Sequence, residues 1–274
     1  MSVTCRTATV TEVGTLLDWA AQEGWNPGLD DAAPFHAADP HGFFVAETQG
    51  QPVAGISVVN HDGSTAFLGL YLCLPDWRGR GIGLRLWHHA LTHAGARRVL
   101  LDGVAAQQAN YAKSGFRKIG ETRRWRGDLP PARHDDIRTI HPADIPALVA
   151  LDAAVQGYSR DRFMQAWLYP TATRRSVMTA DGTGFATARL CHDGCKIGPV
   201  IAPDADTALR LSASAAQVLG TRRATIDVPA DQAGFAAGLQ GLAFQTSFAT
   251  ARMVRGTVPT LLPHGHATAT LELG

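Results

Sequence analysis

Apolar positions along the chain change period several times, and each change marks an element. Residues 43–59 hold two runs of alternating apolar character that turn at Gly50, the pattern of a β-hairpin. An apolar run ending at Pro75 reads as a strand, and Leu84 to Ala94 follows it as an amphipathic helix. Val99 to Val104 reads as a buried strand and Gln107 to Ser114 as a short helix that stops at Gly115, before a new strand opens at Phe116.

The same succession recurs further on. Arg6-Thr7 followed by Glu12, Val13, Leu16 and Leu17 returns 132 residues later as Arg138-Thr139, Asp144, Ile145, Leu148 and Val149. Each copy reads as a strand leading into an amphipathic helix. The Gly50 hairpin has its counterpart around Gly182 in Ser176 to Leu190. Pro75-Asp76 then matches Pro203-Asp204, the strand ending at Asp102 matches Ala224 to Asp227, and Gly115-Phe116 matches Ala243-Phe244. Landmarks kept in this order predict two copies of one α/β fold with a mixed sheet. The expected domains are residues 1–127 and 137–256, joined by a polar, Pro-rich linker over 128–136. A tail over 257–274, with an apolar patch only at Leu261-Leu262, reads either as a terminal strand or as a loose segment.

Composition narrows the class without naming a chemistry. A chain of 274 residues with 45% hydrophobic and 18% charged residues is long enough to bury two cores of ordinary size. The net charge of +1 supplies no general attraction to nucleic acid or to an anionic membrane. No run of apolar residues is long enough for a secretory leader or a membrane span, and four scattered cysteines suit reduced thiols, so a cytoplasmic enzyme is expected.

Chemistry concentrates first in Arg78-Gly79-Arg80-Gly81-Ile82-Gly83, lying between the strand and the amphipathic helix. Glycines in such a turn let the backbone approach an anion, and the free amides and dipole of a helix start then point at it. The spacing lacks the Gly-Lys-Ser/Thr ending of a Walker loop and the order of a dinucleotide fingerprint. Leu70 to Leu86 instead resembles the pyrophosphate loop of the GCN5-related N-acetyltransferases, and Tyr111-Ala112-Lys113-Ser114-Gly115-Phe116 resembles the helix-to-strand motif of the same family. The resemblance covers Cys5 to Gly127 well and Ile137 to Gly256 at the level of fold only.

The resemblance implies two tandem acyl-CoA N-acyltransferase folds and acetyl-CoA as acyl donor. Backbone groups of Leu72, Cys73 and Leu74 would meet the pantetheine arm. The turn from Arg78 and Gly79 through Arg80, Gly81, Ile82, Gly83 and Leu84 would hold the pyrophosphate, with Asn110 and Tyr111 completing the donor site. Tyr111 would protonate the departing thiolate; the alternative reading is an aromatic that packs its helix on the sheet.

Acyl transfer to an amine also needs a base, because an aliphatic amine with pKa near ~10.4 is almost wholly protonated at neutral pH. Glu47 and Asp102, on the second and fifth strands of the first copy, are the carboxylates the pattern offers, with solvated or turn carboxylates as the alternative. In the family, the stretch after the first helix lines the acceptor side, and here it contains Trp25, Asn26, Asp30 and Asp31; Tyr158 occupies the matching stretch of the second copy. An aromatic beside two carboxylates suits a cationic amine, while Asn26-Pro27-Gly28 is equally turn chemistry.

The second copy has Asp204-Ala205-Asp206 where the first has its glycine turn, and Leu239 where the first has Tyr111, so it is expected to shape the acceptor pocket. No metal is expected. His89 and His93 lack a third ligand, and Cys191 and Cys195 with His192 lack a partner pair. Arg123-Arg124-Trp125-Arg126 fits either an anion contact or the alternation of an edge strand. These readings converge on an N-acetyltransferase for a small, cationic primary amine, a monomer or homodimer with no nucleic-acid or membrane partner. An acyl-CoA-binding regulatory module and a protein N-acetyltransferase are the alternatives.

Overall fold

The computed structural model describes residues 2–131 and 133–274. The first half runs β1 (Thr4–Thr7), α1 (Val10–Gln22), α2 (Ala32–Ala38), β2 (Phe43–Thr48), β3 (Gln51–Asn60), β4 (Thr65–Cys73), α3 (Ile82–Leu91), β5 (Arg98–Val104), α4 (Gln108–Lys113) and β6 (Arg117–Asp128). The second half repeats the order as β7 (Ile137–Thr139), α5 (Ile145–Gln156), α6 (Asp161–Leu168), β8 (Arg174–Thr179), β9 (Phe185–Leu190), β10 (Cys195–Ile201), α7 (Ala205–Val218), β11 (Arg223–Pro229), α8 (Ala233–Gly241) and β12 (Gln245–Arg255). A short β13 (Gly265–Ala267) closes the chain of elements.

The repeat extends to individual hydrogen bonds. Arg6 donates from Nη1 and Nη2 to the Glu12 carboxylate at 2.9 and 2.7 Å, and Arg138 donates likewise to Asp144 at 2.7 and 2.8 Å. Each carboxylate also accepts the amide three residues before it, Thr9 in one half and His141 in the other, fixing the start of the first helix. Hydrogen bonds to Arg6 hold the Glu12 carboxyl down at about 2. At the other end of each half, the Phe116 amide donates to the Tyr111 carbonyl and the Phe244 amide to that of Leu239, so the two positions are structurally equivalent.

Strands alternate faces as their period-2 pattern requires. Phe43 and Val45 enter a core shared by α1, α2, α5 and α6, whereas Phe44 and Ala46 enter one covered by α3. A third core lies beneath α7 in the second half. The shared core joins the halves through Phe35 of α2, whose ring stacks on Trp167 of α6 at 6.3 Å.

All strands form one sheet in the order β1-β2-β3-β4-β5-β12-β6-β11-β10-β9-β8-β7, with β13 added against β10. The central order reveals a reciprocal exchange. β12 of the second half lies beside β5 of the first, β6 of the first lies beside β11 of the second, and β6 and β12 pair antiparallel between them. A cut near residue 127 therefore divides the chain but not the sheet. The Arg123 to Arg126 stretch belongs to an interior strand, not the edge strand its alternation suggested, because the exchange gives β6 a partner on both sides.

Two ion pairs lock the exchange. Arg252 of β12 donates Nε and Nη2 to the two oxygens of Asp102 on β5 at 2.9 and 2.8 Å. Arg124 of β6 does the same to Asp227 on β11, both bonds at 2.8 Å. All four groups are buried or nearly so, where bidentate geometry is needed to offset desolvation.

Candidate active site

The first turn of α3 is built for an anion. Gly79 and Gly81 have φ of +73° and +76°, left-handed values that disfavour any residue with a Cβ. Space where their Cβ atoms would stand is open to 4 Å. Helical pairing begins only with the Arg85 amide on the Gly81 carbonyl, leaving the amides at the helix start free. Gly83 serves packing instead. A Cβ there would lie 2.7 Å from the Tyr71 hydroxyl, so this glycine lets α3 settle onto Tyr71. Arg80 lies over the Trp77 ring at 4.9 Å, while Arg78 donates to the Cys73 carbonyl at 2.8 Å and to Glu23 at 2.5 Å. Asn110 is exposed and donates to the Gln107 side chain at 2.9 Å.

Beside this turn the sheet opens. β4 and β5 pair in parallel only from Thr65–Arg98 to Leu68–Leu101. Beyond them Leu70 adopts φ +45° and the β3–β4 register shifts, a bulge that bends β4 away. Pairing parity corrects the expectation for the pantetheine contacts. The Leu74 amide already donates to the Val53 carbonyl at 3.0 Å, so Leu72 and Leu74 turn their backbone groups toward β3. Cys73 and Tyr71 face the open edge, as the Arg78 bond to the Cys73 carbonyl shows.

Within the opening lies a cavity of about 370 Å³. Trp25, Tyr71 and Tyr111 form its aromatic wall, and Asp102, Arg124 and Glu272 are among its charged residues. The buried Tyr111 ring stacks on Trp87 at 5.2 Å and 12° and packs so closely on β5 that a Cβ at Gly103 would stand 2.9 Å from it. Burial, reinforced by Tyr71, pushes the Tyr111 phenol above its ordinary range and keeps it protonated. Both readings of Tyr111 thus meet in one place: it packs the helix on the sheet and borders the cavity.

Asp102 also borders the cavity, but Arg252 occupies both of its oxygens. Burial raises its carboxyl while Arg252 pulls it back, and the nearby Asp227 and Glu272 add to the rise. Asp227 has the same geometry and the opposite shift, since Arg124, Lys196 and Arg189 together outweigh its burial. A carboxylate so paired holds strands together and is poorly placed to take a proton.

Other expected site residues fall elsewhere. Glu47 accepts from Arg6 Nε at 2.8 Å on the β1–β2 edge and does not line the cavity. Of the four residues expected to carry the acceptor site on the loop after α1, Trp25 alone lines the cavity, beside Glu23 and Gly24. Asn26 exchanges hydrogen bonds with the Asp193 backbone at 2.9 and 3.2 Å. Asp30 pairs with Arg174 at 2.7 Å, and Asp31 with Arg189 at 3.1 Å and the Gly28 amide at 2.8 Å. These carboxylates clamp the second half, because its buried arginines need partners. Tyr158 is buried beside Phe67 and His61 outside the cavity. Its position, like those of Asn26, Asp30 and Asp31, removes it from the acceptor wall.

The exchange supplies what local sequence reading missed. Arg124 and Arg126 reach the cavity from β6, Ser247, Phe248 and Thr250 from β12, and Leu271 and Glu272 from the tail. Apart from the basic cluster that holds Arg124 and Arg126, no local pattern marks these residues, since each is brought in from a distant stretch of chain. The candidate histidines are held locally: His93 contacts Asp39 at 2.7 Å, and the His89 ring packs on Phe44. Among the described residues no group of three or more potential ligands is placed to hold a metal ion.

The corresponding opening in the second half is filled. β10 and β11 pair only over Cys195–Ala224 to Ile197–Ile226, and β13 then occupies the gap by pairing with β10 at Val200–Ala267. The Thr268 amide continues the plug by donating to the Asp227 carbonyl at 3.0 Å. At the start of α7 the Asp204 carboxylate accepts the Thr207 amide at 2.8 Å, filling with negative charge the place where α3 leaves amides free.

An open glycine turn at a helix start, two parted parallel strands and a phenol between them define an acyltransferase site. Comparison with known proteins agrees. The profile described as the acetyltransferase (GNAT) family matches residues 10–116, and that described as the acetyltransferase (GNAT) domain matches residues 148–266. The holothin acyltransferase of Pseudoalteromonas sp. (strain SANK 73390) is 35% identical over 281 residues, covering 99% of this chain and 94% of that protein. A putative acetyltransferase from Pyrococcus horikoshii shares the fold over 99% of this chain and 96% of its own, with TM-score 0.85 and 18% identity. A tandem GNAT protein from the clavulanic acid biosynthesis pathway aligns over 94% of this chain and 100% of its own, with TM-score 0.62 and 15% identity. The chain belongs to the GNAT family, as a two-domain member, and is an acyltransferase.

Proposed function

We propose that the first half transfers the acetyl group of acetyl-CoA to a primary amine of a small molecule, with the second half as structural partner. The observation that carries this reading is the cavity of about 370 Å³ at the parting of β4 and β5, bordered by Tyr111 and walled by both halves. Its size suits a small acceptor, and closure by β12 and the tail disfavours a protein chain. The relative's name makes holothin the first acceptor to assay.

The glycine turn fits the donor. Gly79 and Gly81 leave room where side chains would stand, and the free amides of α3 with Arg80 suit a pyrophosphate. Backbone groups of Tyr71 and Cys73 face the parted edge, where they would align the pantetheine and polarise the thioester carbonyl. Burial keeps Tyr111 protonated, so it is available as donor to the leaving sulfur at neutral pH. The regulatory-module alternative needs neither this phenol nor an acceptor cavity.

The test is thiol release from acetyl-CoA with holothin and a panel of amines. Tyr111→Phe is expected to lower kcat by roughly 10²-fold or more with acetyl-CoA affinity kept. Full activity in this variant would remove Tyr111 from the mechanism, and failure of the wild-type protein to bind acetyl-CoA would overturn the proposed function.

A further inference from the structure

Residues 268–274, all buried except the half-buried Leu271, lie across both halves, although nothing in their composition demands it. Four backbone contacts hold them. The Thr268 amide donates to the Asp227 carbonyl at 3.0 Å, Arg189 donates to the Ala269 carbonyl at 3.0 Å, His61 Nε2 donates to the Leu273 carbonyl at 2.7 Å, and Arg160 donates to Gly274. Glycines clear the path beneath. A Cβ at Gly198 on β10 would stand 2.9 Å from the Thr268 carbonyl carbon, and one at Gly69 on β4 would stand 2.8 Å from Cα and carbonyl carbon of Glu272. The segment thus runs from the plugged opening of the second half into the open one of the first.

At that end Glu272 borders the cavity. It is 8% exposed, and among the described residues no side chain or backbone amide donates to its carboxylate. The contrast with its neighbours is sharp. Asp102 and Asp227 are each taken up by an arginine, and Glu23 at the rim is taken up by Arg78. Thr250, 2% exposed, borders the same cavity with its hydroxyl also unpartnered. An unpaired carboxylate and an unpaired hydroxyl in the cavity that Tyr111 also borders offer, with its phenol, two vacant acceptors and two donors for a polar ligand.

We infer that Glu272 is the general base of acyl transfer, delivered by the tail, with the Thr250 hydroxyl orienting the acceptor nitrogen or an intervening water. This rests on the acetyl-transfer reading above. The acceptor ammonium loses one proton to the Glu272 carboxylate, directly or through a water. Its nitrogen forms a bond to the thioester carbonyl carbon, and the carbon–sulfur bond breaks. The departing sulfur takes the Tyr111 proton, the second proton of the new amide nitrogen returns to Tyr111, and Glu272 releases its proton to solvent. One proton leaves per turnover.

Charged groups face Glu272 from several elements. Arg124 and Arg189 lie within electrostatic reach, as does Lys196, whose ammonium donates to the Trp25 carbonyl at 2.8 Å, while the opposing Asp102 and Asp227 are neutralised by their own arginines. In the full chain, Glu272→Gln keeps size and removes the base. Its kcat for holothin acetylation is expected to fall roughly 10²- to 10⁴-fold with acetyl-CoA affinity unchanged, and to rise on the order of tenfold per pH unit as free amine replaces ammonium. Acetyl-CoA hydrolysis, with water in place of the acceptor, gives a parallel readout and is expected to fall likewise, with Glu272→Asp recovering part of both.

Wild-type kcat and pH profile in Glu272→Gln would overturn the inference while leaving the acetyl-transfer reading standing. So would loss of acetyl-CoA binding in both variants, which would make the role structural. A wild-type protein that neither binds acetyl-CoA nor turns it over would overturn that reading and this inference together.

Discussion

Gly69→Ala reaches the tail without altering any charged or catalytic group. The added methyl would stand 2.8 Å from Cα and the carbonyl carbon of Glu272, against an ordinary carbon–carbon approach of about 3.5–4.0 Å. These atoms and the still nearer Glu272 carbonyl oxygen are all backbone, so the tail must recede from β4 by roughly 1 Å. Overpacking of this kind costs about 1–3 kcal/mol. A displacement near 1 Å at a reacting group also costs on the order of 10²-fold in rate. The variant is therefore expected to unfold at lower urea concentration and to lose about two orders of magnitude in kcat, with acetyl-CoA affinity retained because the α3 turn is untouched. Gly55→Ala supplies the control. Its methyl would press on the Leu16 side chain of α1, away from the cavity, so stability falls and kcat stays. If Gly69→Ala loses stability but keeps wild-type kcat, the position of the tail does not govern the chemistry; unchanged stability would mean that the tail is not seated on β4.

Two further outcomes follow from buried charges. Arg252→Leu leaves the fully buried Asp102 carboxylate unpaired and is expected to cost about 3–5 kcal/mol in urea unfolding, much of it regained in the double variant with Asp102→Asn; an effect below about 1 kcal/mol would contradict the strand-locking role. Burial depresses His61 from its ordinary 6.5 to about 4, so the unfolded chain binds the extra proton between those values; stability is complete above pH 6.5 and lost as pH falls toward 4, and His61→Gln should flatten that part of the profile, a steady wild-type stability across it being the contrary result.

How far the chain could be read depended on whether a feature was local. The repeat was legible because Arg6 and Glu12, and Arg138 and Asp144, act within one turn of chain and keep their spacing. The glycine turn before α3 was legible because left-handed backbone at Gly79 and Gly81 demands glycine wherever the chain later lies. Tyr111 was placed by the same kind of short-range constraint, its helix ending at Gly115. The acceptor wall was not legible: Asp30, Asp31 and Asn26 looked like substrate ligands, and their partners proved to be Arg174, Arg189 and the Asp193 backbone, more than a hundred residues distant.

The sequence by itself determined the two copies, the single glycine turn and the missing phenol of the second copy, because helix starts, turns and periodicity are set by neighbouring residues. Only the tertiary structure decided which sixth strand lies beside which fifth. β6 and β12 carry similar alternation, and either partner would satisfy the backbone hydrogen bonds of β5 or β11; the crossed bidentate pairs of Asp102 with Arg252 and Asp227 with Arg124 exist only in the exchanged arrangement. The tail was decided in the same way. Its residues alternate apolar and polar from Ala267 to Leu273, a run too short to say where it lies, and they are buried because the two openings in the sheet supply partners for its backbone, carrying Glu272 to the cavity wall where its carboxylate stands free.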